Sequence, residues 1–246
     1  MINSKLIFIA AVFALAGFVK GVIGLGLPTI SMGLLAVIMP PVEAAAILLL
    51  PSLLTNIWQA IAGPSLRPIA WRLWPLFTGV CVGTWAGMGF MTGALAHYGE
   101  AVLGIALVNY AITGLIQVPL TVGRNHERVV GPAIGIVTGL ITAATGVFVI
   151  PAVPYLQAIG LEKEELVQAL GLSFTVSTLA LAVNIAAAGA LDVSVAGVTF
   201  VALALTFAGM WLGQIIRLRM SPLRFRRWFF IGLLLLGAYL VARSVV

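Results

Sequence analysis

The chain has 246 residues, 62% of them apolar and only 8% charged, with a mean hydropathy of +1.17 and a net charge of +6. A soluble domain of ordinary composition carries about 25% charged residues, so a water-dispersed globule is excluded and an all-α polytopic membrane protein is expected. The single Cys81 excludes a disulfide framework, and two histidines with one cysteine exclude a four-ligand zinc site made from those residues.

Eight apolar stretches are long enough to meet the ~20 residues that a membrane helix needs: 5–39, 42–63, 73–95, 101–122, 129–160, 165–190, 193–216 and 228–246. The first is not read as a cleaved leader, because apolar sequence runs on to Met39. Two stretches are too long for one crossing. The first is interrupted at Gly24-Leu-Gly26-Leu-Pro28, and the fifth at Thr142-Ala-Ala-Thr145-Gly146 with Pro151 and Pro154 beyond; glycine and proline in such runs mark a break or a hairpin.

Loop charge decides between crossing and turning back. With eight single crossings, Lys5, Arg67, Arg72, Arg124, Arg128 and Arg243 face Lys163, Arg217, Arg219, Arg224, Arg226 and Arg227, which is no bias. If the first and fifth stretches return to the side they entered from, only Lys5 and Arg243 lie opposite the other ten. That asymmetry follows the positive-inside rule. Both long stretches are therefore expected to be helical hairpins, with the termini on the non-cytoplasmic side. The cations cluster between apolar stretches, which argues for loops and against nucleic acid. Trp71, Trp74 and Trp228, beside the basic loops, are expected in an interfacial belt. The sequence leaves open whether each hairpin spans fully or re-enters to mid-depth.

The chain also repeats itself. Gly17-x3-Gly21 matches Gly135-x3-Gly139, the run from Glu43 through Thr55-Asn56 matches Glu165 through Ser177-Thr178, and Gly83-x-Trp85-x-Gly87 matches Gly209-x-Trp211-x-Gly213. Each half, 1–123 and 124–246, reads as a broken-helix hairpin plus three helices. An odd number of net crossings inverts the second half, an arrangement characteristic of secondary transporters.

Gly17-Phe-Val-Lys-Gly21-Val-Ile-Gly24-Leu-Gly26-Leu-Pro28, then Pro41-Val-Glu43, then Gly135-Ile-Val-Thr-Gly139 through Gly146-Val-Phe-Val-Ile-Pro151, resemble the TauE/SafE sulfite exporter family over nearly the whole chain. The glycine triplet common in the hairpins of that family is replaced by Gly-Leu-Gly-Leu-Pro and Thr-Ala-Ala-Thr-Gly. The resemblance implies a bacterial inner-membrane permease for small sulfur-containing or organic anions such as sulfite or sulfonates. It implies no cofactor.

A dehydrated anion needs donors, and helix N-termini offer backbone N–H groups without a side-chain charge. Pro28 is placed to start the returning helix of the first hairpin, with Gly24 and Gly26 in the turn and Thr29 just after. In the second, Thr145 beside Gly146 is expected to cap the returning helix, with Thr142 and Thr138 one and two turns before. Ser52, Thr55, Asn56 and Gln59 share one helix face, and Ser173, Thr175, Ser177 and Thr178 occupy the matching helix. They read equally as interhelical hydrogen bonds and as substrate contacts. Lys20 has no acidic residue within the membrane to pair with, so its counter-ion is either the substrate or, if it snorkels, the interface. Cys81 reads as packing, His97 and His126 as solvated loop residues, and the spaced glycines as close helix contacts.

The expected partners are a small anionic substrate and the lipid bilayer, and a homo-oligomer is compatible with the sequence. No phosphate-loop motif occurs, so the chain does not hydrolyse ATP itself. An anion channel and an intramembrane enzyme acting on a lipid-linked substrate are the alternatives. The enzyme is disfavoured because no acid, base and nucleophile fall in one layer.

Overall fold

In the computed structural model, residues 2–116, 120–191, 195–217 and 221–245 are described; Asp192 and Arg219 lie outside them. Ten α-helices occur and no strand among the described residues: α1 Ile2–Ile23, α2 Leu27–Leu35, α3 Pro41–Ile61, α4 Leu66–Ala86, α5 Gly99–Ile116, α6 Glu127–Thr145, α7 Ala152–Ala158, α8 Lys163–Ala187, α9 Ala196–Arg217 and α10 Pro222–Val245. Seven of them, all but α2, α4 and α7, are long and apolar enough to cross a membrane. The outer surface is apolar: Ile7, Val129, Val183, Phe200 and Leu235 are exposed. All six tryptophans, Trp71, Trp74 and Trp228 among them, are exposed as well. A polytopic membrane protein accounts for such a surface, where lipid takes the place of water.

Both long stretches break where glycine and proline interrupt them. The first divides into α1, of 22 residues, and α2, of 9. The second divides into α6, of 19 residues, and α7, of 7. At 1.5 Å per residue the outgoing helices are about 33 and 28 Å long and the returning ones about 14 and 10 Å. Each hairpin is thus a full-length helix followed by a half-length one, which neither symmetric expectation described. Gly24, at φ 79°, and Gly146, at φ 69°, take the left-handed backbone conformation just past the outgoing helices, and Gly26, at φ 108°, does so just before α2.

Contacts at the mouths fix where each hairpin returns. Lys5, near the start of α1, lies 3.7 Å from Glu43 at the start of α3, so the chain re-emerges beside its entry. At the C-terminal end, Arg243 lies 3.8 Å from Glu100 and donates to the Val37 carbonyl at 2.8 Å, which puts the end of α10 at the same level. The second hairpin is clasped by Arg72. Its guanidinium makes a two-pronged contact with Glu127 at 2.9 and 2.6 Å, at the entry of α6, and also donates to the Ile159 carbonyl at 2.7 Å, just past the exit of α7. The two mouths open at opposite ends of the bundle.

Arg72 also accounts for the largest boundary difference. A stretch starting at 73 was expected because Arg67 and Arg72 interrupt the apolar run, yet α4 starts at Leu66 because Arg72 finds Glu127 on the neighbouring helix. At its far end α4 stops at Ala86 rather than near 95, where Gly87, Gly89 and Gly93 make successive turns. Glu127 is almost fully buried and Arg72 largely so, and removing one partner of such a pair strands the other. Glu127→Ala is expected to destabilise the protein by about 3 kcal/mol, read as a lowered Tm of the purified chain in neutral detergent. An unchanged Tm would mean that the pair is solvated in practice.

The helices pack as α1 with α9, α4 with α6, α5 with α10 and α3 with α8. Glycines bring the first two pairs together. A side-chain carbon at Gly17 or Gly21 would run into the carbonyl oxygens of Thr206 and Met210, and one at Gly209 or Gly213 into those of Ala14 and Phe18. The α4–α6 pair repeats this: Gly79 and Gly83 sit on Pro132 and Ile136, and Gly135 and Gly139 on Leu76 and Val80. The packing therefore equates Gly209 and Gly213 with Gly79 and Gly83, one turn earlier than the tryptophan-centred match. Gly87 instead faces Ala143. Backbones this close gain dispersion contacts that larger residues would forbid.

Candidate functional site

Lys20 lies one turn before the break in the first hairpin and is only 4% exposed. It does not snorkel. Its ammonium donates to the Thr55 hydroxyl at 3.0 Å and to the Asn56 side-chain carbonyl on α3. Because an ammonium can only donate, Asn56 must present its oxygen to Lys20 and its NH2 elsewhere. The NH2 donates to Ser52 Oγ at 3.0 Å. Ser52 in turn lies 3.2 Å from Thr178 Oγ1 on α8, whose own proton goes to the Phe174 carbonyl at 2.7 Å. Donation thus runs one way, from α1 through α3 to α8. The Thr55 hydroxyl closes the first link by donating to the Pro51 carbonyl at 2.7 Å.

The cluster is held in place by amides near the same end of the bundle. Gln59 donates to the carbonyls of Gly24, at 3.2 Å, and Val167, at 3.0 Å, tying the tip of the first hairpin to α8. Gln168 serves the turn after α3: its NH2 donates to Ala60 and Gly63 at 2.6 and 2.9 Å, and its oxygen accepts from the Ser65 N–H at 2.9 Å. That one side chain satisfies three backbone groups around the end of α3, where the last carbonyls have no partner within the helix.

Lys20, Ser52, Thr55 and Asn56 therefore come together, with Thr178 as a fifth member. The hairpin-tip residues make separate contacts. Gly24 and Gly26 form the first turn, and Pro28 lies in the first turn of α2, which starts at Leu27. Thr29 donates to the Gly26 carbonyl at 2.9 Å. Thr138, Thr142 and Thr145 each donate back to their own helix, to Ile134, Thr138 and Ile141, at 2.7 to 2.8 Å. Thr145 is not the cap of the returning helix. It ends α6, accepts from the Val147 N–H at 3.1 Å, and is followed by Gly146 and a linker before α7 begins at Ala152 behind Pro151. The linker packs Phe148 against Phe174 of α8 at 5.3 Å, and it is this apolar contact that takes up the residues between the two helices.

Ser173 and Ser177 are fully buried, and their hydroxyls have no hydrogen-bond partner; the same holds for Ser31 and Thr84. A buried hydroxyl without a partner costs about 1–3 kcal/mol, so these groups are open to a ligand or water. Thr175 is spent on the Gly171 carbonyl at 2.7 Å. Cys81 is exposed on the outer face rather than packed between helices. His126 is exposed at the start of α6 and His97 falls in a short 3-10 turn. Among the described residues no group of histidine, cysteine and acidic side chains could hold a metal ion.

Two features escaped the sequence. Gln168 was not singled out, and only the turn at Gly63 and Ser65 facing it reveals its use. Arg72 and Glu127 were assigned to separate loops; the available signal was Glu127 as the lone acid within a basic segment, which calls for a cation close by.

Comparison with curated proteins and with solved structures finds no match. The model of the sulfite exporter TauE/SafE family matches residues 9–240, which takes in both hairpins, the Lys20 cluster and every helix pair described above. With seven apolar spans and that match, the chain is a multi-pass, permease-like membrane transporter belonging to the TauE/SafE sulfite exporter family.

Proposed function

We propose that the chain carries small sulfur-containing or organic anions, such as sulfite or sulfonates, across a bacterial inner membrane by alternating access between two inverted halves, 1–123 and 124–246. The observation that carries this reading is Lys20: a buried cation whose hydrogen-bond partners, Thr55 and Asn56, are both neutral. An ammonium has three donors, and two are occupied. A small oxyanion at the third neutralises the charge that burial makes costly. The unpartnered hydroxyls of Ser173 and Ser177, on the helix that matches α3, add neutral donors suited to the same ligand.

Support for inversion comes from the hairpin mouths at opposite ends and from the glycine register that α1–α9 and α4–α6 share. In this reading the arginine-rich end is cytoplasmic and both termini are outside. The tips are not the binding site on this view. Gly24 is taken up by Gln59 and Gly146 packs against Met32, whereas the Lys20 cluster joins three helices at one point.

Counterflow in proteoliposomes tests the proposal. Vesicles preloaded with unlabelled sulfite should take up labelled sulfite in a saturable way, several-fold faster than empty ones. Linear, ohmic flux without counterflow would replace the carrier by a channel, and chemical alteration of the substrate would replace it by an enzyme.

A further inference from the structure

A cavity of about 440 Å³ lies at the arginine-rich end of the bundle, and none of the residues that line it belongs to the Lys20 cluster. Leu25 from the first hairpin, Tyr110 from α5, Val153 and Gln157 from α7, and Arg226 and Phe230 from α10 line it. We infer that this cavity binds an anionic amphiphile, with an oxyanion head on Arg226 and Tyr110 and a short apolar chain against Leu25 and Val153. The inference goes beyond the transported ion and does not depend on Lys20.

Three observations lead to it. First, the ion pairs among the described residues use Lys5, Arg72 and Arg243 and leave Arg226 without a carboxylate. Its guanidinium is held over the Phe230 ring, 5.5 Å from the centroid, which leaves the fork of N–H donors free to meet an oxyanion. Secondly, Tyr110 is 2% exposed and its hydroxyl has no hydrogen-bond partner. The ring is fixed edge-on to Phe230 at 5.1 Å, so hydroxyl and guanidinium are carried by one aromatic cluster. A buried phenol is seldom left unpaired unless something else supplies the acceptor. Thirdly, the volume falls in the range of small-molecule sites and exceeds what a bare inorganic anion fills, while the rest of the wall is apolar apart from Thr113 and Gln157. An oxyanion joined to a hydrocarbon chain satisfies all three. A water-soluble alkylsulfonate and an anionic lipid share that chemistry.

The test is isothermal titration of the full chain in phosphatidylcholine nanodiscs with hexanesulfonate, hexylammonium and methanesulfonate. Hexanesulfonate should bind at least about tenfold more tightly than either of the others, since both the charged hydrogen bond and the chain contribute. Arg226→Gln should weaken it about tenfold or more and Tyr110→Phe several-fold. Arg227→Gln, at an exposed neighbour with the same loss of charge, should leave it unchanged, and the effects of Arg226→Gln and Tyr110→Phe should persist in a Lys20→Met background, which separates this site from the transport reading. Repeating the titration with phosphatidylglycerol in the disc identifies the occupant: a weakened hexanesulfonate affinity supports the site with lipid as its resident, and an unchanged one supports it with a soluble anion. Equal weakening by Arg226→Gln and Arg227→Gln, or equally tight hexylammonium, overturns the inference.

Discussion

Gly21→Val should abolish assembly of the protein, with no monodisperse peak on size exclusion in neutral detergent, whereas Gly232→Ala should leave the peak and the Tm at least as high as in the parent. The two glycines differ in what surrounds them. A carbon added at Gly21 meets the backbone of Met210 on α9, while one at Gly232 meets nothing within 4 Å. A side chain can change rotamer to relieve an overlap, but a helix carbonyl cannot, so the penalty exceeds the ~1–3 kcal/mol usual for an overpacked core. The α1–α9 crossing also carries the hairpin that holds Lys20, so any separation there dislocates the site. At Gly232 the added methyl only improves helix propensity, by up to about 1 kcal/mol. A folded Gly21→Val chain would show that the helices can part without cost and that the glycine register is incidental.

Lys20→Met should leave a folded protein whose transport is severely impaired. Methionine has similar length and no charge, so α1 keeps its packing while the proposed counter-ion for the substrate disappears. A charged hydrogen bond contributes about 1.5–3 kcal/mol, which corresponds to about a ten- to hundredfold loss of sulfite counterflow. Stability should change little, because losing a buried ammonium offsets the unpaired Asn56 oxygen left behind. Flux measured beside Tm distinguishes the outcomes. Unchanged flux would make Lys20 a structural donor to α3, and loss of both flux and fold would make it a keystone of packing alone.

The fold was legible in the sequence where chemistry is sparse. In a chain with so few charges, each arginine constrains topology, and residues such as Arg67, Arg124 and Lys163 indicated hairpins whose mouths the contacts of Lys5 and Arg72 now locate. The interruptions at Gly24, Gly26 and Gly146 were equally plain, because few other residues take positive φ. The length of the returning helices was not legible: Pro28 marks the start of α2 well, but nothing between Gly146 and Pro151 reveals that the chain runs on through a packed linker before α7. Thr145 looked like a cap for that reason. For the site, the polar face of α3 was visible from spacing, yet its meeting with Lys20 depends on how α1 and α3 lie together, which local pattern does not encode. The hydroxyls at 138, 142 and 145 turn back onto their own helix, as threonine readily does, and their spacing does not reveal it.

The mouths of the two hairpins are fastened unequally. Lys5 and Glu43 are both about half exposed, at 53% and 50%, and such a surface pair contributes at most ~1 kcal/mol and fades with ionic strength. Arg72 grips Glu127 and Ile159 together, and the Glu127 carboxylate is nearly buried. Thermal breathing and ambient salt therefore act on one entrance far more than on the other. The molecule has a soft door beside its termini and a stiff one opposite, so its two ends differ in how readily they open.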